Sequence, residues 1–286
     1  MASYSIIDNL VLVILYIGGI SISTSEPTFD ENYHVVWGYD HVQNEASEVQ
    51  IYLDNSSGAA FESKLDYGSG FFTMKIKLPS NDSGGVVTAF YLTSLDDGNR
   101  DELDFEFLGN REGKPYTLQT NVFAHGQGDR EHRIRLWFDP TADFHTYKIL
   151  WNQHHIVFFV DNIPIRYFKN NTRLGVSYPS KPMKIDASIW DGSSWATDGG
   201  QTKIIWEHAP FRAYFKGFNV NGCSVSNGGS IDPCNYDQFW WNSKRYWELN
   251  PTEQKAYKIV KHHYLTYDYC VDKTRHPVPP PECSQQ

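Results

Sequence analysis

Hydrophobic and polar positions alternate along most of the chain, in short runs separated by Gly, Asn, Asp and Pro. A period of two is typical of strands with one buried face, and the interruptions are typical of turns. Such runs between residues 28 and 222 are GFFTMKIKLP, GGVVTAFYLTS, ELDFEFLG, YTLQTNVFA, HRIRLWF, HTYKILWN, HIVFFVDNIPIRYF and MKIDASIW. Many short strands predict an all-β sandwich or barrel, and the absence of a long internal repeat argues against a propeller or solenoid.

One helix is predicted after this β-rich part. Asn250 precedes Pro251, Glu253 follows three residues after the Asn, and the sequence QKAYKIVKHH comes next. Asn as N-cap, Pro at the first helical position and Glu at the third favour the start of a helix. We therefore expect a C-terminal helix, followed by an extended or irregular proline-rich tail at residues 277–281.

Residues 1–25 are interpreted as a secretory signal peptide. The apolar run Leu10 to Ile20 is shorter than the ~20 residues that span a bilayer, and small hydroxylated residues follow it. The segment before it has no Lys or Arg, so a buried strand or an uncleaved anchor are the alternatives. Three N-x-S/T sequons are consistent with a secreted glycoprotein, at Asn55, Asn81 and Asn170.

The four cysteines all lie in the last quarter of the chain, at Cys223, Cys234, Cys270 and Cys283. None lies near a His at zinc spacing, and an even count in a secreted chain predicts disulfide bonds. Three pairings are open. Pairing neighbours along the chain closes the shortest loops and stabilises the fold by about 3 kcal/mol for each bond, whereas free buried thiols are the alternative.

Composition narrows the class of ligand. The 25 Lys and Arg residues against 34 Asp and Glu give a net charge of −9, which disfavours nucleic acid and anionic membranes as partners. Aromatic residues make up 15% of the chain, with 9 Trp, 18 Tyr and 17 Phe. This share leaves rings available for a cleft, which makes flat ligands such as sugars plausible.

The segment ELDFEF, residues 102–107, carries the candidate chemistry. Alternation on a strand places Glu102, Asp104 and Glu106 on one face and three apolar side chains on the other. Two carboxylates that flank a glycosidic oxygen can act as nucleophile and proton donor, with retention when they stand ~5 to 5.5 Å apart. The Cα atoms of the two Glu lie ~13 Å apart on a strand, so their side chains must lean together over Asp104.

Asp104 then has a function between the other two carboxyl groups. It can hydrogen-bond the nucleophile and keep one Glu ionised while the other stays protonated. The alternatives are a calcium site and an ordinary solvated strand face. Calcium ligands usually come from turns, and a solvated face would more often mix Lys or Thr with its acids, so we favour catalysis.

Further candidates surround a sugar cleft. Trp190 and Trp195 lie in SIWDGSSWATDGG, a loop of small residues that can present rings to pyranoses. Gln119 and Asn121 share one face of a predicted strand, and their amides can donate to and accept from sugar hydroxyls. Core tryptophans and strand-edge amides are the alternative.

These segments together resemble glycoside hydrolase family 16, and within it the plant xyloglucan endotransglucosylase/hydrolases. The similarity extends from about residue 28 to residue 283. It rests on DELDFEFLGN, PYTLQTNVFAHGQGDRE, LWFDPTADFHTYKILW, VDNIPIR and SIWDGSSWATDGG, and on the C-terminal cysteines, helix and YDYC. The resemblance implies a concanavalin-like β-jelly-roll sandwich with an open cleft and a helix-containing C-terminal extension.

The same resemblance implies the site. It assigns Glu102 as nucleophile, Asp104 as helper and Glu106 as general acid/base, with no metal and no cofactor. It places Tyr91, Gln119, Asn121, Arg133, Trp190 and Trp195 in the glucan-binding subsites. The sequence departs from the family in two places: Arg100 stands where a His commonly precedes Asp-Glu, and no sequon follows the motif at Asn110.

The expected domains are a signal peptide at 1–25, a catalytic jelly roll at 26–222 and an extension with two disulfides at 223–286. The expected activity is a retaining transglycosylase that cuts xyloglucan and passes the glycosyl-enzyme to a xyloglucan acceptor. A xyloglucan endo-hydrolase and a non-catalytic lectin-like wall protein are the alternatives. We expect a secreted monomer of the cell wall and apoplast that binds neither nucleic acid nor, after signal cleavage, membrane.

Overall fold

A computed structural model describes residues 26–95, 98–226 and 228–285, so the expected signal peptide lies outside the described residues. The strands are β1 Tyr33–Trp37, β2 Val42–Asn44, β3 Glu48–Leu53, β4 Ala59–Ser63, β5 Asp66–Lys77, β6 Val86–Thr93, β7 Glu102–Leu108, β8 Thr117–Phe123, β9 His132–Arg135, β10 His145–Trp151, β11 His155–Val160, β12 Ile163–Lys169, β13 Lys184–Asp191, β14 Phe211–Lys216, β15 Gly222–Val225 and β16 Leu265–Asp268. The α-helices are α1 Phe29–Asn32 and α2 Pro251–His263. Short 3-10 helices are Tyr39–His41, Thr172–Leu174, Thr197–Gly200, Trp206–His208, Asp232–Asn235, Trp240–Asn242, Lys244–Tyr246, Tyr269–Val271 and Pro281–Gln285.

These strands form two antiparallel sheets. The first, which we call the cleft sheet, has the order β1-β4-β13-β6-β7-β8-β9-β16. The second, the back sheet, has the order β12-β11-β10-β5-β14-β3-β2, with β15 paired to β5. Strand β7, which carries the three carboxylates, is therefore central in the cleft sheet, and the first and last strands of the described chain form its two edges.

The core lies between the two sheets. Leu103, Phe105 and Phe107 of β7 are completely buried, as the alternation predicts. The ring of Phe105 packs edge-to-face on Tyr147 and Phe158 of the back sheet, with centroids 5.7 and 5.1 Å apart. Since side chains alternate across a strand, this packing forces the carboxylates of β7 onto the opposite, open face.

The predicted strands are present, with two changes in extent. The run HIVFFVDNIPIRYF forms two strands, β11 and β12, because Asp161 adopts a left-handed conformation (φ 54°) and turns the chain. The run HRIRLWF is a strand only as far as Arg135. Strands β1 to β4 and β14 to β16 and the helix α1 were not predicted individually.

The predicted C-terminal helix is confirmed. The Asn250 side chain accepts hydrogen bonds from the backbone N–H groups of Thr252 and Glu253, at 2.8 and 3.0 Å, and the Glu253 carboxylate accepts from the N–H of Asn250. Tyr257 and Val260 of this helix are buried. None of the helices within the described ranges is long and apolar enough to cross a membrane.

Two disulfides form in the C-terminal part of the chain, and the structure pairs neighbours: Cys223 with Cys234, and Cys270 with Cys283. Cys223 lies within β15 of the back sheet, so the expected domain boundary at 222/223 falls inside a strand. Next to the second disulfide, Glu282 accepts a 2.7 Å hydrogen bond from the buried guanidinium of Arg130. The extension therefore completes both sheets and pairs a charge that the sandwich buries.

Candidate active site

Glu102, Asp104 and Glu106 lie on the floor of an open cleft of about 810 Å³ across the cleft sheet. The cleft is lined by Trp37, Ala89, Tyr91, Arg100, Glu102, Asp104, Glu106, Gln119, Asn121, Phe123, Glu131, Arg133, Ser188, Trp190, Trp195, Gly199 and Arg275. All nine residues that the sequence analysis named for catalysis or glucan binding are among them. The structure thus brings the whole expected set to one surface.

Strand register arranges this floor in transverse rows. In one row, Asp186, Tyr91, Asp104 and Asn121 lie opposite one another on β13, β6, β7 and β8. In the next row, Ser188, Ala89, Glu106, Gln119 and Arg133 continue from β13 to β9. Neighbouring strands stand ~4.8 Å apart, so each row is a polar track that runs across the strands. An extended polysaccharide can lie along such a track.

Glu106 has the environment of an acid that titrates near neutrality. Gln119 donates a 2.7 Å hydrogen bond to Oε2 of Glu106, and Arg133 donates a 2.8 Å bond to the amide oxygen of Gln119. Burial raises the pKa of Glu106 to about 7, against the lowering effect of the Gln119 bond and with help from the charges of Glu102 and Glu131. A carboxyl group with this pKa can donate a proton and later accept one.

Asp104 lies between the two glutamates and is 6% exposed. Burial raises the pKa of Asp104 well above its usual range, and the charges of Glu102 and Glu106 raise it further. The middle carboxyl group therefore favours its protonated form. A protonated Asp104 can donate a hydrogen bond to an adjacent carboxylate.

Glu102 contacts two donors at a single carboxylate oxygen. Thr93 donates a 2.9 Å hydrogen bond to Oε2, and the Nε of Arg100 lies 3.0 Å from the same oxygen. The Arg100 guanidinium also packs over the ring of Phe123, 4.7 Å from its centroid. This leaves one face of the Glu102 carboxylate toward the cleft.

The two tryptophans line the cleft and also pack on a small apolar cluster. Trp190 and Trp195 have ring centroids 5.9 Å apart and contact Val87, Leu108 and Ala196. Both rings are only partly buried. Both tryptophans therefore combine contact with the apolar cluster and exposure to the cleft.

The amides are less free than the sequence analysis assumed. The Asn121 oxygen accepts from the backbone N–H groups of Val122 and Arg130, at 2.9 and 3.1 Å. Gln119 uses both its amide nitrogen and its oxygen within the site. The amide oxygen of each residue therefore already accepts hydrogen bonds from other groups of the protein.

Several residues that line the cleft were not named as site residues in the sequence analysis. Of these, Arg275 lies farthest along the sequence from the three carboxylates. It lies in the C-terminal tail, where its guanidinium donates to Glu131 at 2.7 Å and contacts Asp129. Tyr267 of β16 lies under Arg133, 5.4 Å from its guanidinium carbon. Nothing in the local pattern places Tyr267 beside Arg133, because the pairing of β16 with β9 brings the two together.

Among residues 26–95, 98–226 and 228–285, no group of three or more His, Cys, Asp or Glu side chains is arranged to hold a metal ion. The expected absence of a metal and of a cofactor stays a prediction.

Comparison with known proteins shows which family the chain resembles. Residues 29–208 match the model of glycosyl hydrolases family 16, and residues 235–283 match that of the xyloglucan endo-transglycosylase C-terminus. Xyloglucan endotransglucosylase/hydrolase protein 2 of Arabidopsis thaliana is 56% identical over 89% of this chain and 88% of its own length. Protein 3 of the same name and species is 53% identical over 90% and 88%.

Solved structures show the same fold. A Bacillus licheniformis beta-glucanase shares the fold with a TM-score of 0.55 at 23% identity, over 67% of this chain and 94% of its own. The apo structure of Crh5 transglycosylase matches with a TM-score of 0.52 at 25% identity, over 64% and 75%. The expected jelly-roll sandwich is thus confirmed. With two family models and relatives above 50% identity along nearly the whole chain, this protein belongs to glycosyl hydrolase family 16, in its xyloglucan endotransglucosylase/hydrolase branch.

Proposed function

We propose that this protein is a retaining transglycosylase of the plant cell wall. It cleaves the β-1,4-glucan backbone of xyloglucan and transfers the glycosyl group to a xyloglucan acceptor. The observation that carries the proposal is the set of three carboxyl groups along strand β7 at the floor of the cleft, with the pKa of Glu106 at about 7. The names of the curated relatives support xyloglucan as the substrate.

In the first step, an oxygen of the Glu102 carboxylate attacks the anomeric carbon while the glycosidic C–O bond breaks. Glu106 gives its proton to the departing oxygen, and a covalent glycosyl-enzyme remains. In the second step, Glu106 takes the proton of an acceptor hydroxyl, whose oxygen attacks the same carbon and releases Glu102. Asp104 supports the pattern by holding its own proton between the two.

Transfer requires the acceptor sugar to react with the glycosyl-enzyme faster than water does. Water is present at roughly 55 M, so the acceptor must gain by binding and orientation what it lacks in concentration. The remaining cleft residues supply those contacts in this proposal: Tyr91, Gln119, Asn121, Arg133, Trp190 and Trp195. A hydrolase would differ only in the identity of the second-step acceptor.

The test is a time course on xyloglucan with a labelled xyloglucan oligosaccharide, comparing wild type with Glu102→Ala. We expect label to enter polymer with few new reducing ends. Glu102→Ala should lose activity by about 10³-fold or more while it melts like the wild type, since the core face of β7 is untouched. Glu207→Ala is the matched control, because that glutamate is exposed and outside the cleft.

Three other results would change the proposal. Reducing ends that accumulate at the same rate with or without acceptor, with no label in polymer, would make the protein a xyloglucan hydrolase. Unchanged chain lengths would make it a lectin-like wall protein. Full activity in a folded Glu102→Ala variant would remove the nucleophile assignment.

The proposal includes a secreted monomer in the apoplast that binds neither nucleic acid nor membrane, with a signal peptide at 1–25, a catalytic part at 26–222 and an extension at 223–286. The local disulfides support export to an oxidising compartment. We propose glycans at Asn55, Asn81 and Asn170. The first two are exposed, and the third donates to the carbonyl of Gln153. Mass spectrometry of the secreted protein, before and after glycosidase treatment, would locate the mature N-terminus and the occupied sites.

A further inference from the structure

Arg100 lies at the start of β7, on the wall of the cleft beside Glu102. Its side chain is 39% exposed, and its Nε is 3.0 Å from Oε2 of Glu102. The N–H bond does not point at this oxygen, so the contact is an ion pair and not a directed hydrogen bond. Within the described part of the chain, neither terminal nitrogen of Arg100 has a hydrogen-bond partner.

The surroundings of Arg100 hold it in this position. The adjacent Asp101 is fully buried, and its carboxylate accepts from the backbone N–H groups of His125, Ser180 and Lys181, at 2.7, 2.6 and 2.9 Å. The guanidinium itself lies over the ring of Phe123. A fixed backbone and a stacked guanidinium keep the cation beside Glu102 at low entropic cost.

The ion pair also distinguishes the two carboxylate oxygens. Thr93 and Arg100 both meet Oε2, whereas Oε1 has no hydrogen-bond or ion-pair partner among the described residues. Oε1 is therefore the oxygen free to bond to an anomeric carbon. Oε2 stays beside the cation throughout the reaction.

We propose that Arg100 is a positioning residue that favours breakdown of the glycosyl-enzyme. This inference rests on the proposed role of Glu102 as nucleophile. When the acceptor oxygen attacks the anomeric carbon, the bond from that carbon to Oε1 breaks and its electron pair returns to Glu102. The acceptor proton passes to Glu106. The negative charge that returns to the Glu102 carboxylate develops next to the Arg100 guanidinium.

The direction of the effect follows from the charge of each state. Glu102 is neutral as a glycosyl ester and anionic when free, so Arg100 stabilises the free carboxylate more than the intermediate. A preorganised cation at a developing negative charge lowers the barrier of that step. Removal of the Arg100 charge should therefore slow the second step but not the first, and let the glycosyl-enzyme accumulate.

The experiment measures the intermediate directly. Wild type, Arg100→Gln, Arg100→Lys and Arg111→Gln are mixed with a xyloglucan oligosaccharide donor, quenched in acid and weighed intact, and the adduct is chased with acceptor. For Arg100→Gln we expect adduct decay about tenfold slower and a larger adduct fraction at steady state. Arg100→Lys keeps the charge and should stay within about threefold of wild type. Arg111 pairs with Asp82 outside the cleft, so Arg111→Gln should behave as wild type.

Two outcomes overturn the proposal. Adduct decay in Arg100→Gln as fast as in wild type would refute it, and so would a smaller adduct fraction, which would mean that Arg100 serves formation of the intermediate. Peptide mapping keeps this inference separate from the function on which it rests. If the wild-type adduct is found on a residue other than Glu102, the nucleophile assignment fails, and the role of Arg100 fails with it.

Discussion

Removal of the Gln119 amide should move the pH dependence of the first chemical step. Gln119 donates a 2.7 Å hydrogen bond to Oε2 of Glu106, and this bond lowers the pKa of a carboxyl group whose burial raises it to about 7. Gln119→Met keeps the length of the side chain but has no donor. The pKa of Glu106 in this variant should therefore be higher than in the wild type.

The size of the shift follows from the bond. A hydrogen bond to a charged group is worth about 1.5 to 3 kcal/mol, and water in an open cleft recovers part of it. Since one pKa unit corresponds to about 1.4 kcal/mol, we expect a rise of about one unit, to about 8. In the first step Glu106 must be protonated, so a higher pKa preserves the active form at higher pH.

The assay is kcat/KM as a function of pH, with a xyloglucan oligosaccharide donor at a fixed acceptor concentration. The basic limb should move upward by about one pH unit in Gln119→Met, while the acidic limb, which reports a different group, should stay in place. Gln43→Met is the matched control, because Gln43 lies on the edge strand β2 of the back sheet, and among the described residues its side chain hydrogen-bonds only with Gln50.

A basic limb that stays in place, in a variant that still binds donor, would refute the link between Gln119 and Glu106. A shift to lower pH would refute it in another way, because it would mean that Arg133, which loses the Gln119 oxygen as its acceptor, has moved toward Glu106. Either result would also weaken the assignment of Glu106 as the group behind this limb.

Three further predictions concern stability and partitioning. Glu282→Ala leaves the Arg130 charge buried and unpaired, so urea titration should show a free energy of unfolding about 3 to 5 kcal/mol lower than in the wild type. The double variant Glu282→Ala/Arg130→Met should regain most of this loss. Equal stability of Glu282→Ala and wild type would show that the ion pair is dispensable. Burial, and after it the charge of His154, lowers the pKa of His155 to about 3. Between pH 3 and about 6.5 the unfolded chain therefore protonates this histidine and the folded chain does not, so the free energy of unfolding decreases as the pH falls through this window. His155→Phe should flatten this slope by up to about 1.4 kcal/mol per pH unit, and an unchanged slope would contradict burial as the cause. Trp195→Ala should raise the ratio of hydrolysis to transfer, measured as reducing ends against label in polymer, whereas simple unfolding would identify Trp195 as a core residue.

The placement of the three β7 carboxylates on one face was predictable because its signal is local. Alternation in ELDFEF alone places three carboxylates on one face, and the buried phenylalanines confirm the other face. The capped helix α2 was predictable for the same reason, since Asn250 and Glu253 cap it within a single turn.

The rest of the site depends on register and on distant sequence, which no local pattern reports. Asp186 faces Tyr91 only because β13 pairs with β6, although the two strands are about ninety residues apart. Burial raises the pKa of Asp186 to about 8, an effect that the surrounding alternation does not reveal. Arg275 reaches the cleft only through the fold of the tail, so sequence reasoning named the carboxylates on the cleft floor and missed part of the cleft wall.

Glu282 follows Arg130 by 152 residues in the sequence, and this separation determines when the fold can be completed during biosynthesis. The partner of the buried Arg130 is translated after all the strands of the described residues, and β16, which covers the edge of β9, is the last of those strands. While the ribosome still holds these residues, the cleft sheet has an open edge and an unpaired internal charge. A transcript with an early stop codon shortly before residue 282 would therefore encode Glu102, Asp104 and Glu106 and still leave Arg130 without its partner.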